Sequence, residues 1–225
     1  MIIMPMNPFL DPVRIGVESF YALIILVLCV LVFLKTREIF ELTKHKGIQF
    51  FRYAFIFFGF AYASRFVLYM IIISNNIVCE FCRYGRQLLP VTSLVVAYFS
   101  TMAILSLVYS IIWKRMKVEH FLIWSNIISL FVAVIAFSFR SPMVLSIVQL
   151  LFLVCASFIM IRTHKKDHSR FNTKALYLLI FAFWLLNLFI LEPRRVIPFE
   201  IKVVFQVISV AVFAAILYKV AKWTK

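Results

Sequence analysis

Three sets of residues in this sequence could carry chemistry, and the first is built around an arginine inside an apolar stretch. Arg65 lies within residues 50–74, a run that is almost wholly apolar and long enough to cross a bilayer. A charged side chain at membrane depth is costly, so it marks a functional site by default and requires a partner. Glu18, near the matching end of the first apolar run, is the partner that we expect.

Other polar side chains fall at a similar depth in the other apolar runs. Together with the two charged residues they form a predicted polar cluster in the outer half of the membrane: Glu18, Arg65, Ser93, Gln149, Trp184, Asn187 and Gln206. Two interpretations are open at this point. Either the Glu18–Arg65 pair locks the helices together and binds nothing, or the cluster lines an outward-facing ligand pocket with Arg65 at its floor.

The second set is the cysteine pair Cys79 and Cys82, which lies between two apolar runs in a C-x-x-C spacing. In an oxidising compartment such a pair forms a disulfide or exchanges thiols. Redox catalysis would need a second cysteine pair or a quinone site, whereas Cys29 and Cys155 lie inside apolar runs, far from this loop. We therefore expect a loop-stiffening disulfide or free thiols, and we rank a membrane thiol oxidoreductase last among the candidate functions.

The third set comprises the histidines, which all fall in basic segments between apolar runs. His164 and His168 could share one helical face, but Asp167 is their one acidic neighbour. A zinc site takes about four ligands, so we expect solvated histidines and no metal site. The sequence contains no serine–histidine–aspartate set, P-loop or H-E-x-x-H motif, and we predict neither a catalytic residue nor a cofactor.

Composition indicates what must position these residues. The 225 residues are 64% hydrophobic and 15% charged, and the mean hydropathy is +1.02. Apolar runs of this length predict an all-α, polytopic membrane protein with the lipid bilayer as its surroundings. We expect one domain over 1–225, a bundle of seven transmembrane helices. The predicted helices cover residues 15–46, 50–74, 88–113, 121–139, 143–161, 175–191 and 201–220.

Charge predicts the orientation and the partners. Sixteen of the 24 Lys and Arg residues flank one side of the predicted helices and seven flank the other. Because basic residues mark cytoplasmic loops, the N-terminus is predicted outside and the C-terminus in the cytoplasm, in the cell membrane. The net charge of +15 is then explained by anionic lipid headgroups at the basic cytoplasmic loops. The basic segments are short and lack interleaved aromatic residues, so we expect no nucleic acid partner.

Helix-breaking residues fall at the predicted helix ends. Gly47, preceded by basic residues, is expected to end the first helix in a left-handed cap. Pro90 is expected in the first turn of the third helix, where its missing N–H is harmless. The third helix carries the most hydroxyl groups and is predicted to be the most enclosed. Because only Gly59 lies deep inside a span, the broken helices typical of secondary transporters are not predicted.

The run LTKHKGIQFFRYAFIFFGFAYASRF, residues 42–66, resembles uncharacterised seven-helix membrane proteins of archaea. The whole-chain layout is similar to the seven-helix sensor modules found before histidine kinases in prokaryotes. This resemblance implies seven helices and a sensing role, although we expect no kinase or cyclase domain after Lys225. We favour a non-enzymatic sensor, receptor-like or scaffold module that acts through an unknown membrane or cytoplasmic protein partner. The alternative is a small carrier or channel.

Overall fold

The computed structural model describes residues 12–77, 82–113, 120–139, 142–164, 171–191 and 198–223. These residues form seven α-helices and no strand, which confirms the predicted all-α fold and the number of helices. The helices are α1 Pro12–Thr43, α2 Lys46–Ile77, α3 Cys82–Ile112, α4 Phe121–Phe139, α5 Pro142–His164, α6 Phe171–Leu191 and α7 Phe199–Trp223.

Five of the helices are long and apolar enough to cross a membrane. Their candidate spans are Val13–Thr43, Lys46–Ile73, Pro90–Ile112, Phe121–Phe139 and Phe199–Lys222. The apolar stretches of α5 and α6, Leu145–Ile159 and Leu176–Ile190, are shorter. Large apolar side chains are exposed on the outer faces of the helices, as lipid contact requires. At this level the structure supports a multi-pass helical membrane protein.

Six helices form a closed ring, and the seventh lies outside it. Around the ring, α1, α2, α3, α5, α6 and α7 each pack against their two neighbours, and α7 closes on α1. In the described part of the chain, the backbone of α4 lies close to α3 and α5, and the Phe121 ring at its start also contacts Phe50 of α2 (5.3 Å). Its buried residues are a narrow stripe of small side chains, Ser125, Ser129, Val132 and Ala133. Small residues allow helix backbones to approach closely in lipid, so this stripe holds α4 against the ring.

Helix α3 is the most enclosed of the candidate spans, as its hydroxyl content predicts. In its apolar segment 61% of the residues are buried, compared with 22–33% in the other four spans. The helix contacts α2, α4 and α5, and therefore has little surface left for lipid. Three of its buried hydroxyls, those of Ser100, Thr101 and Ser110, bond to backbone carbonyls of the preceding turn.

The turn between α1 and α2 corrects the predicted role of Gly47. The chain leaves α1 at Thr43, and Lys44 adopts the left-handed conformation with a φ of 48°. Gly47 instead lies in the first turn of α2, with an ordinary negative φ. A Cβ atom at Gly47 would lie 2.7 Å from Nε1 of Trp113. The position needs glycine because the indole of Trp113 packs directly on the backbone, and not because it ends a helix.

The start of α3 also differs from the prediction. The helix begins at Cys82, so Pro90 lies inside it rather than in its first turn. The candidate membrane span of α3 still begins at Pro90. By contrast, α4 runs from Phe121 to Phe139, which coincides with its predicted bounds.

Aromatic rings fill the centre of the six-helix ring. Phe58 of α2 lies 5.2 Å from Phe183 and 4.6 Å from Trp184, both on α6. Phe183 in turn lies 4.7 Å from Phe213 of α7, and Phe213 lies 5.7 Å from Phe55. These edge-to-face and tilted contacts join α2, α6 and α7 across the bundle axis and pack its middle tightly.

Candidate functional site

The first polar contact lies near the end of the bundle where α1, α3, α5 and α7 begin, which we call the Glu18 end. Lys202 donates to one carboxylate oxygen of Glu18 over 2.8 Å. The Tyr69 hydroxyl donates to the other oxygen over 2.5 Å. The Glu18 and Lys202 side chains are 18% and 19% exposed. This contact therefore ties α1, α2 and α7 together in a largely enclosed site.

The predicted Glu18–Arg65 ion pair is wrong in its direct form. Both carboxylate oxygens of Glu18 accept hydrogen bonds, one from Lys202 and the other from Tyr69. The ion pairs of the described residues do not include Arg65. Arg65 interacts with Glu18 electrostatically at longer range. The physical reason is position: α7 lies beside α1 and brings Lys202 to one carboxylate oxygen, while Tyr69, one helical turn nearer the end of α2 than Arg65, occupies the other.

Arg65 lies one helical turn deeper than Tyr69 on α2. Its guanidinium lies 5.3 Å from the centre of the Tyr62 ring, which is a cation–π distance. The residue lines a cavity of ≈ 20 Å³. Its charge is therefore placed beside an aromatic face and a small internal space, and not towards a carboxylate.

That cavity, which we call the Arg65 cavity, is formed by four helices. Its lining residues are Phe58, Ala61, Tyr62 and Arg65 from α2, Val96 and Ser100 from α3, Gln149 from α5, and Trp184 and Asn187 from α6. Gln149 is almost completely buried, with 1% of its surface exposed. Its amide donates to the Ser100 hydroxyl over 2.5 Å, which links α5 to α3.

A hydrogen-bond network continues from the cavity to α1 and α7. The Asn187 carbonyl oxygen accepts from the Tyr62 hydroxyl and from Tyr21 of α1 (3.1 Å). The Tyr21 hydroxyl also lies 2.9 Å from Ser209 of α7. The Asn187 amide donates to the Phe183 carbonyl over 2.8 Å. This network joins α1, α2, α6 and α7 at one depth, and every member is buried.

The structure brings four of the seven predicted cluster residues together. Arg65, Gln149, Trp184 and Asn187 all line the Arg65 cavity. Glu18 lies in the separate contact with Lys202. Gln206 is buried on α7 but does not line the cavity. The placement of Ser93 does not fit the cluster, because it is exposed and its hydroxyl bonds to the carbonyl of Pro90 over 2.7 Å.

Three tyrosines are among the site residues that the sequence analysis did not predict, together with Lys202, Ser100 and Ser209. Tyr21 follows Glu18 by three positions on α1, and Tyr62 and Tyr69 lie three before and four after Arg65 on α2. Residues three or four apart lie on one helical face. The spacing of the tyrosines from Glu18 and Arg65 could therefore have predicted that they share a helical face with these charged residues.

The C-x-x-C pair lies largely outside the described residues. Cys79 is not among them, and Cys82 begins α3 but its side chain is not described. The disulfide between them therefore stays a prediction. The cysteines whose side chains are described, Cys29 and Cys155, are free thiols, the first buried and the second exposed. Within the described helices, no group of three or more His, Cys, Asp or Glu residues could hold a metal ion.

Comparison with known proteins gives one informative match. A protein of Archaeoglobus fulgidus, described as an uncharacterized protein, is 32% identical over 220 residues, a match that covers 96% of each chain. No protein-family model matches the chain, and no solved structure matches it. Because the match covers nearly the whole length, the helices that line the Arg65 cavity all fall within it.

Proposed function

This chain belongs to the uncharacterised archaeal family of helical proteins that the Archaeoglobus fulgidus relative represents, and we propose that it is a non-enzymatic sensor, receptor-like or scaffold module. In this proposal the seven helices span the cell membrane, the polar cluster responds to a small ligand, and the response passes to a protein partner. The observation that carries the proposal is the buried network of Tyr21, Tyr62, Asn187 and Ser209, which couples four helices at one depth.

The seven spans rest on helix length. Helices α5 and α6 contain 23 and 21 residues, and at about 1.5 Å per residue each can cross a hydrocarbon core of about 30 Å. The proposed orientation, with the N-terminus outside, rests on the 16-to-7 distribution of Lys and Arg. Single cysteines placed in 75–87 or 193–199 should react with an impermeant thiol reagent from outside. Labelling of 162–174 from outside would overturn this orientation.

The packing of the bundle axis supports a sensor or scaffold over a carrier. Two cavities between the described helices have volumes of ≈ 10 Å³ and ≈ 20 Å³. The first lies among the aromatic rings that pack the bundle axis, including Phe58 and Phe183. A carrier must open a path through this packing, whereas a sensor needs only two alternative arrangements of the polar side chains. A ligand shifts such an equilibrium by binding one arrangement more tightly than the other.

The basic end of the bundle supports the proposed contact with anionic lipid. At this end, opposite Glu18, the guanidinium of Arg52 lies 4.4 Å from the Phe33 ring and 5.1 Å from the Phe40 ring of α1. The aromatic rings hold the arginine at the surface of the bundle, where a lipid phosphate can reach it. Lys35 and Lys44 are exposed on the same helix–turn segment. Each basic residue near an anionic leaflet adds about 1 kcal/mol of attraction.

One experiment tests whether the polar network communicates with a partner. A photo-crosslinking amino acid at Lys222, exposed near the end of α7, should give one crosslinked complex of defined mass in native membranes. The Asn187→Leu substitution removes the centre of the network and should change the yield of that complex. Asn126→Leu is the matched control because Asn126 is exposed on α4 and outside the network. Equal yields in all three proteins would contradict the proposal.

A second experiment separates the sensor from a carrier or channel. The purified protein in liposomes should pass small ions and solutes no faster than protein-free liposomes, since tightly packed rings occupy the bundle axis. Saturable transport that Asn187→Leu abolishes would establish the carrier instead.

A further inference from the structure

Among the described residues, no carboxylate forms an ion pair with Arg65. Glu18 and Lys202 neutralise one another, and Arg65 takes part in neither of the ion pairs found in the described part of the chain. Its cation–π contact with Tyr62 compensates only part of a charge held within a candidate membrane span. Ionisable residues in membranes pair with one another or mark ion and substrate sites. The uncompensated charge points to an anionic ligand.

The lining of the Arg65 cavity has the chemistry of an anion site. Its nine lining residues include one cation and no carboxylate. The amide groups of Gln149 and Asn187 each carry two N–H donors. One N–H of Gln149 bonds to Ser100, and one of Asn187 bonds to the Phe183 carbonyl. Each amide keeps a second N–H that a bound anion can accept.

We propose that the Arg65 cavity binds one monovalent anion of halide size, held by Arg65 and the amides of Gln149 and Asn187. The volume of ≈ 20 Å³ gives room for about one water molecule. Sulfate, phosphate and organic carboxylates are too large unless the helices separate, and a cation would be repelled by Arg65. The inference rests on the proposed ligand-responsive function and names the ligand class of its pocket.

The site sits where occupancy can alter the helix-coupling network. Asn187 lines the cavity, and its carbonyl oxygen also accepts hydrogen bonds from the hydroxyls of Tyr21 and Tyr62. An anion that accepts a hydrogen bond from the second amide N–H of Asn187 holds the Asn187 side chain in this orientation. Arrival or loss of the anion therefore changes the hydrogen bonds that join α1, α2, α6 and α7.

The test is equilibrium binding of radioactive chloride to the purified full chain in nanodiscs of zwitterionic lipid. The expected result is one saturable chloride per chain, displaced by bromide and not by gluconate or sulfate. Absence of saturable binding to the wild-type protein would overturn the proposal without any variant. Displacement by sulfate as effective as by bromide would also overturn it, because sulfate does not fit the cavity.

Two substitutions locate the site. Arg65→Gln should weaken chloride binding by about 10- to 100-fold, since a hydrogen bond to a charged group contributes about 1.5–3 kcal/mol and about 1.4 kcal/mol is tenfold. Gln149→Leu keeps the charge and should weaken binding by about tenfold. Arg52→Gln, on the same helix at the opposite end, is the matched control and should bind as the wild type does. Wild-type affinity in Arg65→Gln would refute the assignment.

Chloride flux distinguishes this inference from the proposed function. If chloride binds but also crosses liposomes through the protein, the anion site stands and the non-transporting function fails. If chloride neither binds nor crosses, the anion site fails and the sensor or scaffold proposal is untouched.

Discussion

The enclosed ion pair of Glu18 and Lys202 allows a quantitative prediction. Glu18→Leu removes the carboxylate that accepts from both Lys202 and Tyr69. At the separation of 2.8 Å, the attraction is about 6 kcal/mol for an effective dielectric constant of about 20. Removing each ion from water costs several kcal/mol in return. The intact pair therefore contributes little net free energy, while a single remaining ion keeps its own desolvation cost.

The expected loss of stability depends on the desolvation cost of the ion that remains and on the exposure of the two side chains. Breaking a buried pair by removing one partner costs about 3–5 kcal/mol. Because the side chains of Glu18 and Lys202 are 18% and 19% exposed, water recovers part of that cost. We expect Glu18→Leu to lower the free energy of unfolding by about 2–3 kcal/mol and Lys202→Met by a little less. Lys202→Met costs less because Glu18 retains the Tyr69 hydroxyl and the longer-range attraction of Arg65.

The double variant Glu18→Leu/Lys202→Met should lose only about 1 kcal/mol, which is the cost of leaving the Tyr69 hydroxyl without its acceptor. Adding Tyr69→Phe should recover most of that remainder. The assay is reversible unfolding in mixed micelles with increasing SDS, analysed as a double-mutant cycle. Losses that simply add in the double variant would refute the reasoning, because additivity means that the two charges do not depend on one another.

The chain provides its own control in a second ion pair of similar length. Arg37 and Glu41 lie 2.6 Å apart, but their side chains are 63% and 59% exposed. Water screens an exposed pair of this kind, so it contributes little to stability. The same cycle with Arg37→Met and Glu41→Leu should therefore give a coupling free energy several times smaller than the cycle at Glu18.

Three further predictions concern hydrogen bonding and packing. Asn187→Leu should lower the free energy of unfolding by about 1–3 kcal/mol, because it removes the acceptor of two buried hydroxyls, each bond contributing about 0.6–1.7 kcal/mol in a membrane. SDS unfolding measures this loss, and an equal loss in the exposed Asn126→Leu control would contradict it. Gly47→Ala should lower the melting temperature, because its Cβ would lie 2.7 Å from Trp113 and overpacking costs about 1–3 kcal/mol. Gly16→Ala should raise it, since the new Cβ would have no atom of another described helix within 4 Å and alanine stabilises a helix interior by about 0.5–1 kcal/mol.

The sequence predicted how far each polar residue lies from the end of its helix. Arg65, Gln149, Trp184 and Asn187 lie at corresponding distances from the ends of their apolar runs, and the structure brings all four to one cavity. The direction in which a residue faces could not be predicted in the same way. Ser93 was predicted in the same outer half of the membrane as Arg65, but it is exposed. In a soluble protein a polar stripe identifies the outer face, whereas here lipid and protein interior are both apolar.

The partner of Glu18 could not be predicted from the sequence either, because the two residues are far apart in the chain. Lys202 lies 184 positions away in the sequence, and only the closing of α7 against α1 brings it to the carboxylate. The role of Gly47 could not be predicted from its neighbours in the sequence, since these basic residues are typical of a helix end. Its actual constraint is contact with Trp113, which belongs to a different helix.

By itself the sequence determined the all-helical fold, the number of helices and the enclosure of α3. These properties follow from the length of each apolar run and from its hydroxyl content, because a chain in lipid must satisfy its backbone hydrogen bonds within each helix. Only the tertiary structure decided the order of helices in the ring, the position of α4 outside it, and the pairing of Glu18 with Lys202. Helices in lipid associate through close packing and hydrogen bonds between particular side chains, not through a hydrophobic pattern along the chain, so that order leaves no periodic signal to read.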